Sequence, residues 1–166
     1  DAELDIDNVV SLPDIITADT FFAPPPKHNW LIEGLLELGR VGLIVGPGGT
    51  GKSTFALQLC AAVAADLPVC EGVYEIGQHG SGAVLYLAGE ETQDDIHRRG
   101  HTIETYMCEE TRADEKAEVL SLPRKRLENK LSHLHTMSLA GYSTHFTEEG
   151  LGQTAFYDAI LSKAKE

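Results

Sequence analysis

The chain has 166 residues, 42% of them hydrophobic, which is enough apolar material for about one globular domain. Asp and Glu number 26 against 13 Lys and Arg, and the resulting net charge of −13 argues against a broad nucleic-acid-binding surface. No run approaches the ~20 apolar residues of a membrane span. The acidic N-terminus does not resemble a signal peptide, and the three cysteines are widely spaced. We therefore expect a cytoplasmic protein with reduced thiols and no membrane span.

The first predicted segment, residues 1–28, is acidic and then proline-rich. The triple proline Pro24–Pro26 favours an extended polyproline conformation. We therefore expect an N-terminal arm at 1–28 and place the folded core at 29–166. Residues 29–36 carry apolar groups, including Trp30, up to the first strand of that core.

The next segment combines a strand, a glycine-rich loop and a helix. Residues 41–45 read VGLIV, an apolar run that predicts a buried parallel strand. Residues 46–53 read GPGGTGKS, which has the G-x-x-x-x-G-K-S spacing of a phosphate-binding P-loop. Good helix formers at 52–65 predict a helix whose N-terminus points at the phosphates. A strand before the loop and a helix after it are the context that the motif requires, so we predict a nucleoside triphosphate site.

The P-loop offers several kinds of contact to a triphosphate. Its glycines let main-chain N–H groups approach the phosphates. Lys52 supplies a cation for the β- and γ-phosphates, and the Ser53 hydroxyl is the expected Mg²⁺ ligand, so we predict ATP and Mg²⁺ as ligands. Lys52 is also a predicted catalytic residue. The predicted nucleotide-binding residues of the loop are Gly48, Gly49, Thr50, Gly51, Lys52, Ser53 and Thr54.

The elements predicted after the P-loop helix alternate in type. They are a short strand near 73–76, a strand at 83–88, a helix at 92–107 capped by Thr92, a helix within 108–130 that breaks near Pro123, a strand at 131–139 and a helix at 153–165. Strands that alternate with helices in this way indicate an α/β fold with a parallel sheet and helices on its faces.

Glu90 and Glu91 directly follow the strand predicted at 83–88. The carboxyl ends of parallel strands meet at one edge of a sheet, and the P-loop belongs to the same edge. A carboxylate at that edge can orient and polarise a water molecule that attacks the γ-phosphate. The alternative is an acidic helix N-terminus, where negative charge is favoured. Because a P-loop precedes the pair, we predict that Glu90 is catalytic.

Three stretches together resemble the RecA-like ATPases: NWLIEGLL at 29–36, GPGGTGKS at 46–53 and VLYLAGEE at 84–91. Within that family they are most similar to the plasmid RepA hexameric helicase branch, which also has an arginine-bearing helix like Ile96–Arg99. The resemblance covers residues 29–166. It implies a three-layer P-loop NTPase fold, a homo-oligomeric, hexameric ring, and an ATP-hydrolysing DNA helicase of plasmid or phage replication.

The resemblance also implies roles for single residues. Glu90 matches the glutamate that activates water, while Lys52 and Ser53 match the phosphate-binding lysine and the Mg²⁺ ligand. Arg99 matches an arginine that packs against the adenine base, which suits a planar guanidinium.

Arg98 and Arg99 also have a simpler interpretation. Both can lie on an exposed helix face and pair with Asp94 or Asp95 of the preceding turn.

The RecA-like family has one further strand that ends in an aspartate, the Walker B carboxylate, and it should follow the helix at 153–165. We therefore expect the chain to be truncated before the Walker B strand. Single-stranded DNA is expected to bind regions absent from this chain, and ATPase activity is expected of the full-length protein.

Other interpretations remain open on the sequence. A RecA-like regulatory or assembly module can bind nucleotide without helicase activity. A small-molecule kinase is disfavoured, because its P-loop usually lies at the very N-terminus. His133 and His135 indicate an ordinary strand surface more than a metal site. The basic residues of 124–130 indicate a solvated helix face more than a nucleic-acid contact.

Overall fold

The computed structural model describes residues 15, 17–108, 121–142 and 155–163. Residues 1–14, which make up half of the predicted N-terminal arm, lie outside the described residues. The elements in chain order are a short 3-10 helix (Ala18–Phe22), strands β1 (Trp30–Ile32) and β2 (Leu36–Glu37), helix α1 (Lys52–Ala65), strand β3 (Val84–Ala88), helices α2 (Gln93–Met107) and α3 (Arg124–Leu131), strand β4 (Leu134–Ser138) and helix α4 (Ala155–Lys163).

Helix α1 has the bounds that the sequence predicts. It begins after Gly51, whose φ of 83° is left-handed, and it ends where the main-chain N–H of Asp66 donates to the Ala62 carbonyl. Leu57 is 1% exposed, and every residue of 61–65 is buried as well. Small alanine side chains let neighbouring elements approach this helix from more than one side, so α1 is the centre of the fold.

Two apolar clusters share α1. The first joins α1 to α2, α3 and the chain around them through Leu57, Ala61, Ala65, Leu67, Ile103, Met107, Cys108 and Leu127. The second joins the opposite side of α1 to β1 and the following loop through Ile32, Ala62, Val63 and Val69. Because both clusters depend on α1, the P-loop at its N-terminus is held by the whole core.

Strands β3 and β4 form the predicted parallel pair. Val84 is in register with Leu134, Tyr86 with Thr136 and Ala88 with Ser138. Tyr86 and Leu134 pack against the first cluster, which places that face of the sheet against the helices. Both strands therefore end at the same edge, beside the P-loop helix.

Strand β4 begins at Leu134, so the predicted strand at 131–139 started three residues too early. Leu131 belongs to α3, and the chain then turns, with the N–H groups of Ser132 and His133 donating to the carbonyls of Glu128 and Lys130. His133 therefore lies in a turn and His135 in β4, so the two histidines do not share a strand face. Apolar and polar residues alternate partly from Leu131 onward, and for this reason the predicted strand included the end of α3.

The strand predicted at 41–45 is not formed, which is the main correction to the expected sheet. No ladder joins 41–45 to another described strand, and Val41, Leu43 and Val45 are 99%, 87% and 81% exposed. The described residues form two two-stranded sheets, parallel β3–β4 and antiparallel β1–β2. An apolar run becomes a buried strand only where a partner strand and a covering layer meet it, and the described residues supply neither.

The predicted cap of α2 is confirmed. The Thr92 hydroxyl accepts from the Asp95 N–H at 3.3 Å, and the Asp95 carboxylate accepts from the Thr92 N–H at 3.2 Å. This reciprocal capping box fixes the point at which the chain enters α2. Among the helices that the structure describes, none has the length and apolar character needed to cross a membrane.

Candidate nucleotide site

The P-loop closes around the ammonium group of Lys52. The Nζ atom donates to the carbonyl oxygens of Gly46 at 2.8 Å and Pro47 at 2.6 Å. The Thr50 hydroxyl also donates to the Pro47 carbonyl, at 2.8 Å. Gly49 and Gly51 have φ values of 76° and 83°, a region that only glycine enters without strain. The loop therefore has a compact turn that depends on its glycines.

A cleft of about 450 Å³ lies between the P-loop helix and the end of β3. Its walls include Lys52 and Ser53 from α1, Glu90 and Glu91 from the segment after β3, and Ile44 from the unpaired run. The sequence predicted that Lys52, Ser53 and Glu90 would meet at one sheet edge. The structure brings these three residues to the same cleft.

The two glutamates of the cleft differ in their surroundings. Glu90 is exposed and makes no hydrogen bond or ion pair with another residue in the described part of the chain. Only 17% of the Glu91 side chain is exposed, and its carboxylate forms an ion pair with Arg99. The Tyr86 hydroxyl donates to the same carboxylate at 3.4 Å. Glu90 is thus free to meet a ligand, whereas Glu91 is engaged within the protein.

Arg98 and Arg99 have different partners. Arg98 pairs with Asp95 at 2.7 Å, as the simpler interpretation of the sequence suggested. Arg99 instead reaches back across the start of α2 to Glu91, and 27% of its side chain is exposed. Stacking of Arg99 on a base stays a prediction, but its position is now defined: it is tied to a residue that lines the cleft.

Tyr86 is the polar residue of β3 beneath this ion pair. Burial raises the pKa of its hydroxyl above the usual 10.0, and the negative charge of Glu91 raises it further. Arg99 acts in the opposite direction, as a smaller influence. Tyr86 is therefore a neutral hydrogen-bond donor at neutral pH.

Ser138 is a residue of this region that the sequence analysis missed. Its hydroxyl donates to the main-chain carbonyl of Glu91 at 2.6 Å and accepts from the Ala140 N–H at 3.3 Å. A signal for it existed, because Ser138 is the last residue of β4, and the ends of parallel strands meet at the ligand-binding edge.

The donor set of the cleft fits a magnesium-bound triphosphate. An ammonium group, a hydroxyl and an unpaired carboxylate line it, and the N-terminus of a 14-residue helix adjoins it. Lys52 and the loop N–H groups are suited to hold phosphate oxygens, and Ser53 is suited to hold the ion. When bound, such an ion neutralises negative charge on the phosphates.

The other predicted loop residues do not line the cleft. Gly48, Gly49, Thr50 and Gly51 belong to the P-loop, and Thr54 belongs to the first turn of α1. Their contacts with nucleotide stay predictions.

Comparison with known protein families supports the same assignment. Residues 8–149, most of the 166-residue chain, match the model of a family described as the AAA domain. A match of this extent covers the P-loop, both parallel strands and the glutamate pair. The chain therefore belongs to the AAA domain family and has the fold of a P-loop ATPase.

Proposed function

We propose that this chain is the ATP-binding core of a RepA-like ATPase, an ATP-hydrolysing DNA helicase that assembles as a homo-oligomeric ring. One observation carries the proposal of hydrolysis: Lys52, Ser53 and Glu90 line one cleft at the carboxyl edge of β3. The DNA-related part depends on the resemblance of 29–36, the P-loop, 84–91 and Ile96–Arg99 to the RepA branch.

Each residue has a defined task in this proposal. Lys52 leaves its contacts with the Gly46 and Pro47 carbonyls and binds the β- and γ-phosphates. Ser53 holds Mg²⁺ through its hydroxyl. Glu90, whose carboxylate has no partner among the described residues, accepts a hydrogen bond from the attacking water and orients it.

Arg99 is the proposed contact to the base. A guanidinium group bound through one edge keeps its two flat faces for stacking, and Arg99 is bound to Glu91 through a single terminal nitrogen. The ion pair with Glu91 is therefore compatible with stacking on adenine.

The acidity of the chain is relevant to the proposed DNA contact. With a net charge of −13, these residues are poorly suited to hold a phosphate backbone by themselves. We therefore assign single-stranded DNA to other parts of the full-length protein. The alternative is a nucleotide-binding regulatory or assembly module, for which DNA has no effect on turnover.

Two substitutions in the full-length protein test the site. Lys52→Ala should abolish detectable ATP binding, with Lys27→Ala as a matched surface control. Glu90→Gln should preserve ATP binding and lower kcat by about 100-fold or more, with the exposed Glu33→Gln as its control. Equilibrium binding and steady-state hydrolysis measure the two effects. Wild-type turnover in Glu90→Gln would remove Glu90 from its proposed role.

The helicase proposal needs a separate measurement. ATP hydrolysis by the wild-type protein should rise when single-stranded DNA is added, and a forked duplex should be separated in an ATP-dependent manner. Hydrolysis that DNA leaves unchanged, without strand separation, would instead favour the regulatory or assembly module.

A further inference from the structure

The position of Glu90 depends on its main chain alone. Its side chain has no hydrogen bond or ion pair with the rest of the described chain, so no neighbour holds the carboxylate directly. Glu90 belongs to the segment Gly89–Glu91, which joins the end of β3 to the start of α2. Whatever fixes this segment also determines where the carboxylate enters the cleft.

Both ends of the segment are anchored. Before it, the Ala88 carbonyl accepts from the Leu139 N–H at 2.8 Å, which continues the parallel ladder past the end of β4. After it, the capping box between Thr92 and Asp95 fixes the entry into α2. Between these anchors, no hydrogen bond joins the main chain of Gly89–Glu91 to the main chain of another described element. Any hydrogen bond that holds the middle of the segment must therefore come from a side chain.

Ser138 supplies that contact. Its hydroxyl donates to the Glu91 carbonyl at 2.6 Å, and the side chain of Glu91 is held in turn by Arg99 and by Tyr86. The Ala140 N–H donates to the Ser138 oxygen at 3.3 Å, which orients the hydroxyl toward Glu91. The residue next to Glu90 is thus fixed through both its main chain and its carboxylate.

We propose that Ser138 is a positioning residue for Glu90: its hydroxyl, by holding the main chain of Glu91, sets the place of the Glu90 carboxylate in the nucleotide cleft. This inference rests on the proposed function, because it assumes that Glu90 orients the attacking water. Ser138 itself does not line that cleft. Its effect is therefore expected on kcat, with no effect on the affinity for ATP.

The test uses Ser138→Ala in the full-length protein, compared with two other variants. Ser138→Thr keeps the hydroxyl. Ser132→Ala removes the same type of hydroxyl-to-carbonyl bond, from Ser132 to Asn129 at 2.7 Å, at an exposed place outside the cleft. Because a misplacement of about 1 Å can cost about 100-fold in rate, Ser138→Ala should lower kcat by roughly 10- to 100-fold with KM for ATP unchanged. Ser138→Thr should recover most of the rate, and Ser132→Ala should match the wild type.

Amide hydrogen exchange provides a readout that does not depend on turnover. In Ser138→Ala, protection of the Leu139 and Thr92 amides, whose hydrogen bonds anchor the two ends of the segment, should fall at least several-fold, while protection in α1 stays as in the wild type. Unchanged protection of these two amides, or an unchanged kcat in an active protein, would overturn the role of Ser138. A general loss of protection that includes α1 would also overturn it, because the serine would then stabilise the fold as a whole. A wild-type protein that binds ATP without hydrolysing it would instead contradict the proposed function, and the exchange data would still show whether Ser138 fixes the segment.

Discussion

The two segments that flank the P-loop are both rich in apolar residues, yet one is exposed and the other is largely buried. Residues 41–45 before the loop are largely exposed, with Leu43 at 87%. In α1 after the loop, Leu57 is 1% exposed and Ala61–Ala65 are all buried. The difference lies in their neighbours. Helix α1 packs against other elements on two sides. Residues 41–45 lie beside the Leu36 side chain at Gly42 and beside the cleft at Ile44, but they pair with no described strand.

Apolar sequence alone therefore does not determine burial. A helix satisfies its own main-chain hydrogen bonds and needs only side-chain neighbours. A strand needs a second strand for its N–H and C=O groups before burial becomes favourable. The P-loop is therefore held firmly from its helical side by the described residues and weakly from its other side.

Leucine-to-alanine substitutions on the two sides of the loop should differ most in their effect on stability. Leu57→Ala should lower the free energy of unfolding by about 2–5 kcal/mol, because it removes a buried side chain from the first cluster. Leu43→Ala should change it by less than about 0.5 kcal/mol, because that side chain is exposed. Denaturant unfolding of both variants measures the difference. A loss at Leu43 comparable to that at Leu57 would show that 41–45 is buried in solution.

A smaller effect tests whether the second cluster holds α1 as firmly as the first. A Cβ atom on Gly77 would lie 1.9 Å from the Trp30 carbonyl oxygen, so Gly77→Ala must displace either β1 or the 77–80 loop. We expect a loss of about 1–3 kcal/mol in thermal or denaturant unfolding. Gly82→Ala is the matched control, since its Cβ would meet nothing within 4 Å. Equal stability of the two variants would mean that the contact between the 77–80 loop and β1 is loose.

The smallest effect concerns the start of α2, which follows the two glutamates that line the cleft. Thr92→Ala should cost about 1 kcal/mol by removing the N-cap, while Thr102→Ala, within the same helix, should be nearly neutral.

The Thr92 cap also predicts a pH dependence. The hydrogen bond from the Thr92 hydroxyl lowers the pKa of Asp95 below its usual 3.8, and Arg98 lowers it further. A carboxyl group with a lowered pKa in the folded state stabilises the fold above its usual pKa, and this contribution is lost as the pH falls through the lower value. The difference between wild type and Thr92→Ala should therefore be constant near neutral pH and shrink below about pH 3.8. A difference that grows on acidification would contradict the capping box.

Local signals made much of this structure predictable. Helix formers between Gly51 and Asp66 defined α1, and Thr92 followed by two aspartates defined the start of α2. The meeting of Lys52, Ser53 and Glu90 followed from the topology of parallel strands.

The features that sequence analysis missed depend on contacts between distant residues. Ser138 and Glu91 are 47 positions apart in the chain, and no local pattern of either residue predicts their hydrogen bond. The exposure of 41–45 likewise depends on distant residues, because no described strand pairs with this run. The pairing of Arg99 with Glu91 was missed because helical spacing pointed to Asp94 and Asp95, whereas Glu91 lies before the start of α2.

The contacts of Lys52 have a consequence for binding energy. Its ammonium group already gives two of its three N–H donors to carbonyls in the P-loop, so phosphate oxygens beyond the first would replace existing hydrogen bonds and not add to them. The affinity for a triphosphate then reflects the difference between two sets of partners and is smaller than a count of phosphate contacts would suggest. The same exchange releases the carbonyls of Gly46 and Pro47, so arrival of the ligand and rearrangement of the loop become a single event.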